Sequence, residues 1–465
     1  MNALLATSLG LYLFLVLYLG YRANRANGNT QEDFFLLGRS VGVRLLVGSV
    51  AASMVNSMAV TGTPSLFYTG GILFSQMFVA VTAACGLMWF FGPKVAAYAR
   101  NSGSLTQGEL FGRHYRSRPM HLLVAALGVL STFPFLSIQL AGVGKIVSAG
   151  SGGAISFESA ALVFALCIGL YVFFGGARAA VWTDSLQGLA AFFLFSLMAL
   201  LFVNWAGGLP QSLETVRTVM PEKLGFTATS TRLFLDSTLS WSFAFFLWPH
   251  LFIRCFMAKK PSELRGVAVI SFLVLISLLT VILVLTIAAT AKLYGTLEDP
   301  DHLLATMLGL HLSDGGLILL ILVLALTMST VDSMILALAA IISRDLRSIE
   351  QSDGLKRSRL STLAILGLAT FLAINTIGQS ALVPWVTLGA SIITLLLWPL
   401  IGIFVLHQTK AWPSLLSICA GFTALCIVRF TPAQEILPFG FATTSFVVGG
   451  ITFTVSSILL GAKKQ

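Results

Sequence analysis

Charge is what this 465-residue sequence has least of: charged residues make up 10% of it and hydrophobic residues 57%, with a mean hydropathy of +0.91. A soluble domain carries about 25% charged residues, so this much apolar surface cannot be folded into one water-soluble core and has to be dissolved in lipid. Cysteine is scarce too. Cys85, Cys167, Cys255, Cys419 and Cys426 all fall in or beside apolar runs and form no Cys-x-x-Cys pair, so neither a disulfide framework nor a zinc site is indicated. The six histidines make no metal-spaced pair, and no GxxxxGK[ST] loop appears to cradle a nucleotide phosphate, which argues against ATP-driven work by this chain. With no nucleophile or metal cluster inside the apolar runs, an enzyme is the poorest fit.

What is present is a series of apolar runs long enough to cross about 30 Å of hydrocarbon. Thirteen lie near residues 2–21, 44–70, 72–98, 120–148, 157–177, 184–206, 233–256, 265–292, 315–343, 360–377, 381–406, 412–430 and 439–461. The first lacks a basic leader and runs into Tyr21-Arg22-Ala23-Asn24-Arg25 without a small-residue cleavage site, so it reads as a retained anchor. The net charge of +10 does not point to nucleic acid, because its placement follows the membrane. With the N-terminus outside, the loops holding Arg22 to Arg44, Lys94 to Arg118, Arg178, Arg254 to Arg265, Arg344 to Arg359, Lys410 and Lys463-Lys464 share the cytoplasmic side. Only Lys145, Arg217, Lys223, Arg232, Lys292 and Arg429 face out, an asymmetry that matches the positive-inside rule and puts the C-terminus in the cytoplasm.

The longest outside loop, residues 207–232, separates two sets of five runs, 44–206 and 233–406. Five is odd, so the second set is inverted relative to the first, the arrangement of many secondary transporters, whose sites lie where matching helices are broken. Residues 1–22 precede the repeats as an extra helix and 412–461 follow as accessory helices. Both first helices of the repeats carry break signals: Ala52-Ser53-Met54-Val55-Asn56-Ser57 and Thr61-Gly62-Thr63-Pro64 in one, Trp248-Pro249 in the other. Each is equally readable as an ordinary kink, and it is their matched position that favours a site.

Of eighteen acidic residues, nearly all sit at span ends, as a cost of about 2.5–3.5 kcal/mol for a carboxylate at a helix centre requires. Asp332 lies well inside the ninth run, in Thr327-Met328-Ser329-Thr330-Val331-Asp332-Ser333, and Asp184 opens the sixth, in Trp182-Thr183-Asp184-Ser185-Leu186-Gln187. Ser329, Asp332 and Ser333 share one helical face, with Thr330 beside them. Hydroxyls, a carboxylate and freed carbonyls suit a hard cation, without thiol or imidazole. The rival reading has the hydroxyls bonded back to carbonyls of the preceding turn and Asp332 protonated or paired. Asp184 with Gln187 also has the form of a capping box, so cap and ion ligand both stand. Trp241, Phe245 and Trp248 form an aromatic stripe that is either core or solute wall, and Gln139 either lines a cavity or bonds a neighbouring helix.

The stretches FFLLGRSVG (Phe34 to Gly42), GGARAAVWTDSLQ (Gly175 to Gln187) and MSTVDSMILALAAIISRDL (Met328 to Leu346) resemble the sodium:solute symporter family over essentially the whole chain. The resemblance implies an all-α, leucine-transporter-like five-plus-five inverted repeat with one extra N-terminal and two extra C-terminal helices, thirteen transmembrane helices in all. It implies sodium ligands at the backbone carbonyls of Ala52, Val55 and Leu326 and the hydroxyls of Ser329 and Thr330, and a second sodium or proton position at Asp184, Asp332 and Ser333. The stretch WSFAFFLWPHLFIRCFMA is similar to the sodium/proline symporters of the family and places Trp241, Phe245 and Pro249 near the solute, with Asn56, Ser57 and Gln139 as polar contacts. Where those relatives carry an aspartate in the first core helix this chain has Met54, and Phe245 stands for a tyrosine.

The expected protein is therefore a multi-pass symporter of a bacterial-type inner membrane that uses Na+ as coupling ion. It imports a small organic solute, an amino acid such as proline or a small carboxylate, by alternating access. Its expected partners are the solute, sodium and the bilayer, with no nucleic acid and no obligate protein partner. Proton coupling on the same fold is the nearest alternative, since Asp184 and Asp332 can carry a proton. A transporter-like sensor or channel is the next, although such relatives usually append a soluble signalling domain and this sequence stops at Gln465.

Overall fold

A backbone immersed in hydrocarbon has to satisfy its own polar groups, and this chain does so with helices. The computed structural model of the protein describes residues 3–26, 28, 30–150, 155–304, 306–307, 315–346, 354–375, 383–433, 437 and 439–461. Among these, nine helices are long and apolar enough to cross a bilayer, and two shorter apolar helices, Gly10–Ala23 and Val43–Met54, accompany them. All thirteen apolar runs contain helix, but not as thirteen uninterrupted rods.

The departures from regular rods are local and have local causes. In the run at 44–70, α3 (Val43–Met54) ends at an extended Val55, and α4 (Gly62–Gly70) starts afresh. The run at 233–256 is α10 (Ala228–Leu247) and α11 (Pro249–Met257). Pro249 at the first position of α11 drives Trp248 to φ −55°, ψ 133°, since a residue before proline is pushed out of the helical region. The runs at 157–177 and 184–206, expected as two helices, are two helical arms, together α8 (Phe157–Trp205), that meet without a loop at Gly176, where φ is 54° and ψ −148°. Tyr171 and Asp184 would lie about 20 Å apart on a straight helix, yet both reach the same polar cluster, so α8 doubles back at Gly176.

The remaining long helices are α5 (Ser75–Ser102), α7 (Arg118–Gly150), α12 (Leu264–Leu293), α13 (Gly315–Ala340) and α14 (Gly354–Asn375). After α14 come Val383–Thr394, Leu397–Phe404, Trp412–Phe430 and Phe441–Gly461. The leading helix, Ala3–Ala26, lies along α8: Gln187 donates to Tyr12 Oη at 2.7 Å, and a Cβ at Gly20 would stand 2.5 Å from that of Tyr171. The segment 324–345 of α13 and the turn after it is the most enclosed span, 94% buried, so its polar residues face protein and not lipid. It ends in a π turn, Ile341–Asp345.

Short helices at Gln31–Leu36, Gln107–His114 and Leu209–Val219 occupy segments expected as loops. The first two carry ion pairs that join the ends of the long helices. Arg344 meets Glu109 at 2.7 Å, His121 meets Asp345 at 2.8 Å, and Arg178 meets Asp33 at 3.0 Å. Arg39 pairs with Glu32. A parallel bridge joins the two broken elements, with Val41 N–H donating to Met257 O at 3.0 Å and Lys259 N–H to Val41 O at 2.9 Å. Arg254, expected in a cytoplasmic loop, is instead 1% exposed inside the bundle.

The reversal at Gly176 needs a residue without a side chain, because its φ is positive and a Cβ there would stand 2.6 Å from Phe34 O. Backbone strain alone costs about 1–3 kcal/mol. Gly176→Ala is expected to lower the melting temperature of the purified protein clearly. Gly367→Ala, where a Cβ would have nothing within 4 Å, is expected to hold or raise it, and equal melting temperatures for the two variants would show that the turn tolerates a side chain.

Candidate cation and solute sites

Where α3 stops, the carbonyls of its last turn lose their helical partners. Facing them on α13, Ser329 Oγ donates to Ala52 O at 3.0 Å and to Leu326 O at 2.9 Å, and Thr330 Oγ1 donates to Leu326 O at 3.2 Å. Ala52, Val55 and Leu326 line one groove between α3, α8, α12 and α13, and Ser329 and Thr330 are fully buried. Four oxygens from two helices thus meet within hydrogen-bonding distance, with Val55 adjoining. The hydroxyl bonds to the preceding turn, the rival reading of these residues, are present at Ser329 and Thr330. The bond from Ser329 to Ala52 is not of that kind, since it joins two helices. The donor set is all oxygen, and a hydroxyl can rotate to offer its lone pairs, so the residues fit a hard cation.

About one helical turn further along α13 lies a charged cluster. Ser49 Oγ donates to Asp184 Oδ2 at 2.7 Å, and Tyr171 Oη donates to Asp332 Oδ2 at 2.8 Å. Ser333 Oγ lies 3.0 Å from Asp332 Oδ1 and 3.1 Å from Ser329 O. Arg254 Nη2 donates to Asp184 Oδ2 at 3.0 Å, to Ser53 Oγ at 3.1 Å and to Ser333 Oγ. Asp184 sits about two turns past Gly176 inside a continuing helix, which rules out the capping role and leaves its carboxylate aimed at the cluster. The structure therefore brings Asp184, Asp332 and Ser333 together, and closes them with a guanidinium.

Asn56, Trp241 and Phe245 line a cavity of about 60 Å³ with Met54, Met58, Thr63 and Met77. Asn56 Oδ1 accepts from Met58 N–H at 2.9 Å, which turns the break of α3 and commits that oxygen. Trp241 packs on Phe245 and Trp248 at centroid distances of 5.3 and 5.7 Å, and Trp248 on Phe135 at 5.0 Å. Gln107 Nε2 donates to Leu247 O at 3.1 Å, satisfying a carbonyl freed at the end of α10. Gln139 and Pro249 are buried but do not line this cavity. The side chain of Ser57 lies outside the described residues.

Sequence reasoning missed Arg254, Tyr171, Ser49 and Ser53. Arg254 left a signal: an arginine within the apolar stretch Leu251 to Met257 is an intramembrane charge, which is a functional-site hypothesis by default. Ser49 and Ser53 are one helical turn apart on α3, a spacing that becomes informative only once α3 is known to face the acids. Tyr171 left none.

Comparison with known proteins is consistent with this geometry. The family described as sodium:solute symporter family matches residues 34–410. The sodium/pantothenate symporter of Escherichia coli is 26% identical over 399 residues, covering 81% of this chain and 80% of its own. Sodium/proline symporter 2 of Staphylococcus saprophyticus is 26% identical over 422 residues, covering 84% and 80%. Among solved structures, a Na+-coupled sialic acid symporter in a substrate-bound outward-open state superposes with a TM-score of 0.80 at 17% identity, covering 98% of both chains. The all-helical fold with broken helices is thus one used by sodium-coupled transporters, and this membrane-embedded, multi-pass chain belongs to the sodium:solute symporter family.

Proposed function

We propose that this sodium-coupled symporter imports a small organic solute, an amino acid or small carboxylate, and that its coupling ion binds at Ala52, Val55, Leu326, Ser329 and Thr330. The observation that carries the reading is the meeting of Ser329 Oγ with Ala52 O at 3.0 Å across two helices. An ion held there joins the break of α3 to α13, and so favours the conformation in which the two elements touch. An ion that bound both conformations equally could not drive the cycle. With the N-terminus outside and the C-terminus in the cytoplasm, an inward-negative potential adds about 2.3 kcal/mol per charge for each 100 mV.

The solute site rests on the cavity at Asn56, Trp241 and Phe245, and the repeats 44–206 and 233–406 contribute one wall each. Among the described residues, no acid or base lines that cavity. With Asn56 Oδ1 already used, the amide Nδ2 is the group left to donate to a solute oxygen, while the methionines and aromatic rings cover an apolar body. Pro249 and Gln139 act from behind the wall, through the helix break and its packing. Rocking of one repeat against the other then exposes the site to each side in turn.

Two measurements test this. In proteoliposomes, uptake of a panel of labelled amino acids and small carboxylates is expected to follow an inward sodium gradient, and Ser329→Ala with Thr330→Ala is expected to raise the sodium concentration for half-maximal uptake about tenfold or more, since two of the proposed oxygen ligands of the ion are lost and tenfold is only about 1.4 kcal/mol. An unchanged sodium dependence removes both hydroxyls from the site, and uptake driven by a pH gradient without sodium would replace sodium by the proton. For the solute, Asn56→Ala is expected to raise the half-saturating concentration of whichever solute is taken up while leaving the sodium dependence unaltered. Loss of sodium dependence with retained solute affinity would put Asn56 on the ion instead.

A further inference from the structure

The groove between α3, α8, α12 and α13 has a volume of about 480 Å³ and opens sideways toward the bilayer, with Leu189 and Leu273 on its rims each 57% exposed. We propose that it binds one anionic phospholipid, with the phosphate on Arg44 and an acyl chain laid along α3 as far as its break. The candidate ion ligands form only the far end of this groove, so the lipid site stands apart from the sodium reading.

Small residues give the groove its shape. α3 and α8 cross at Gly48 and Gly188, where a Cβ on Gly48 would stand 2.9 Å from Ser185 Oγ and one on Gly188 3.3 Å from that of Ala52. So close a crossing leaves a trough beside it, and α12 closes the far wall. Along α3 the lining residues Arg44, Val47, Ala51 and Val55 recur at spacings of three and four, a single helical stripe. That stripe is about 16 Å long at the helical rise, which matches one leaflet of a hydrocarbon core about 30 Å thick. A chain anchored at Arg44 therefore ends beside Val55, at the depth where an acyl chain ends.

The chemistry of the lining selects the occupant. Ser185 Oγ donates to Val181 O and Ser277 Oγ to Leu273 O, both at 2.8 Å, so the two hydroxyls in the groove are committed to their own helices and the rest of the wall is apolar. Charge stands at one end alone. Arg44 is exposed and makes no hydrogen bond or ion pair among the described residues, and no acid among them lines the groove. The first turn of α3 holds neither an acid nor a capping side chain, so the positive end of its dipole adds to the guanidinium. Arginine grips a phosphate through two parallel hydrogen bonds, whereas a zwitterionic headgroup brings a cation of its own to the same place. In the orientation proposed above Arg44 lies on the cytoplasmic side, where anionic lipids concentrate. A chain in the trough braces α3 against α8 and α12 on the side that α13 does not cover.

Titration of lipid into the detergent-purified protein in sodium-free buffer, followed by melting temperature, tests this without knowledge of the solute. Dioleoyl phosphatidylglycerol is expected to raise the melting temperature saturably. Dioleoyl phosphatidylcholine is expected to need a concentration about tenfold higher or more, and glycerol 1-phosphate, a headgroup without chains, to have no effect. Arg44→Gln is expected to raise the half-saturating phosphatidylglycerol concentration about tenfold or more, the scale of a lost charge-assisted contact. Lys356→Gln, at another exposed cation, is expected to leave it unchanged. Ser277→Trp fills the trough while keeping Arg44, and is expected to remove the response. Should these variants fail to fold, dihexanoyl phosphatidylglycerol on the unmodified protein decides, since chains too short to fill the trough are expected to leave the melting temperature where it was. Equal stabilisation by both dioleoyl headgroups, an undiminished response of Arg44→Gln or full stabilisation by the short chains shows annular lipid only and overturns the proposal. A dimer of the unmodified protein that Ser277→Trp abolishes gives the groove to a second copy of the chain, and overturns it as well.

Discussion

A helix interrupted inside hydrocarbon leaves carbonyls that nothing in the lipid can satisfy, and the rest of this structure is arranged around that constraint. At the end of α3 the answer is Ser329 of α13, whose hydroxyl bonds Ala52 O; at the end of α10 it is Gln107, which caps Leu247 O. Each solution requires a second helix to be held in register beside the break. The 94% burial of the 324–345 span follows from this, since a helix that serves as partner to a broken one cannot also face lipid.

The same economy governs the charges. Removing one partner from a buried ion pair typically costs about 3–5 kcal/mol, because the other is left uncompensated. Asp184, Asp332 and Arg254 therefore have to be assembled together, and the hydroxyls of Ser49, Ser53, Ser333 and Tyr171 take up some of the bonds the charges do not make among themselves, although Asp184 Oδ1 and Arg254 Nε keep no partner among the described residues. Charges that are expensive singly become tolerable as a network, and the network lies one turn from the candidate sodium ligands.

The fold was legible in the sequence because its signals are long. Apolar runs of membrane-spanning length and the Trp248-Pro249 break survive as helices and as a break. The pairing of Ser329, Asp332 and Ser333 on one face needed only helical periodicity. The two runs that meet at Gly176 are two helices, as expected, but the loop expected between them is absent, because a single glycine with positive φ turns the chain. Asp184 with Gln187 has the form of a cap, but the helix begins well before it. Arg254 stands at the polar end of the run 233–256, where a one-dimensional pattern does not distinguish an arginine leaving the membrane from one turned inward onto an acid. Tyr171 and Asp332 are far apart in the chain, and their contact depends on tertiary packing for which a single sequence holds no pattern.

The small parallel bridge between Val41 and the strand-like residues after α11 has a mechanical consequence. Its two hydrogen bonds, Val41 N–H to Met257 O and Lys259 N–H to Val41 O, yoke the start of one interrupted helix to the finish of the other. Arg100 reinforces the joint by donating to Ala258 O at 3.0 Å and Lys259 O at 2.9 Å. A torque applied to either arm is thereby delivered to both, so half-opened intermediates in which one arm swings while its counterpart stays put would have to tear this joint first. The two levers are geared to turn as one.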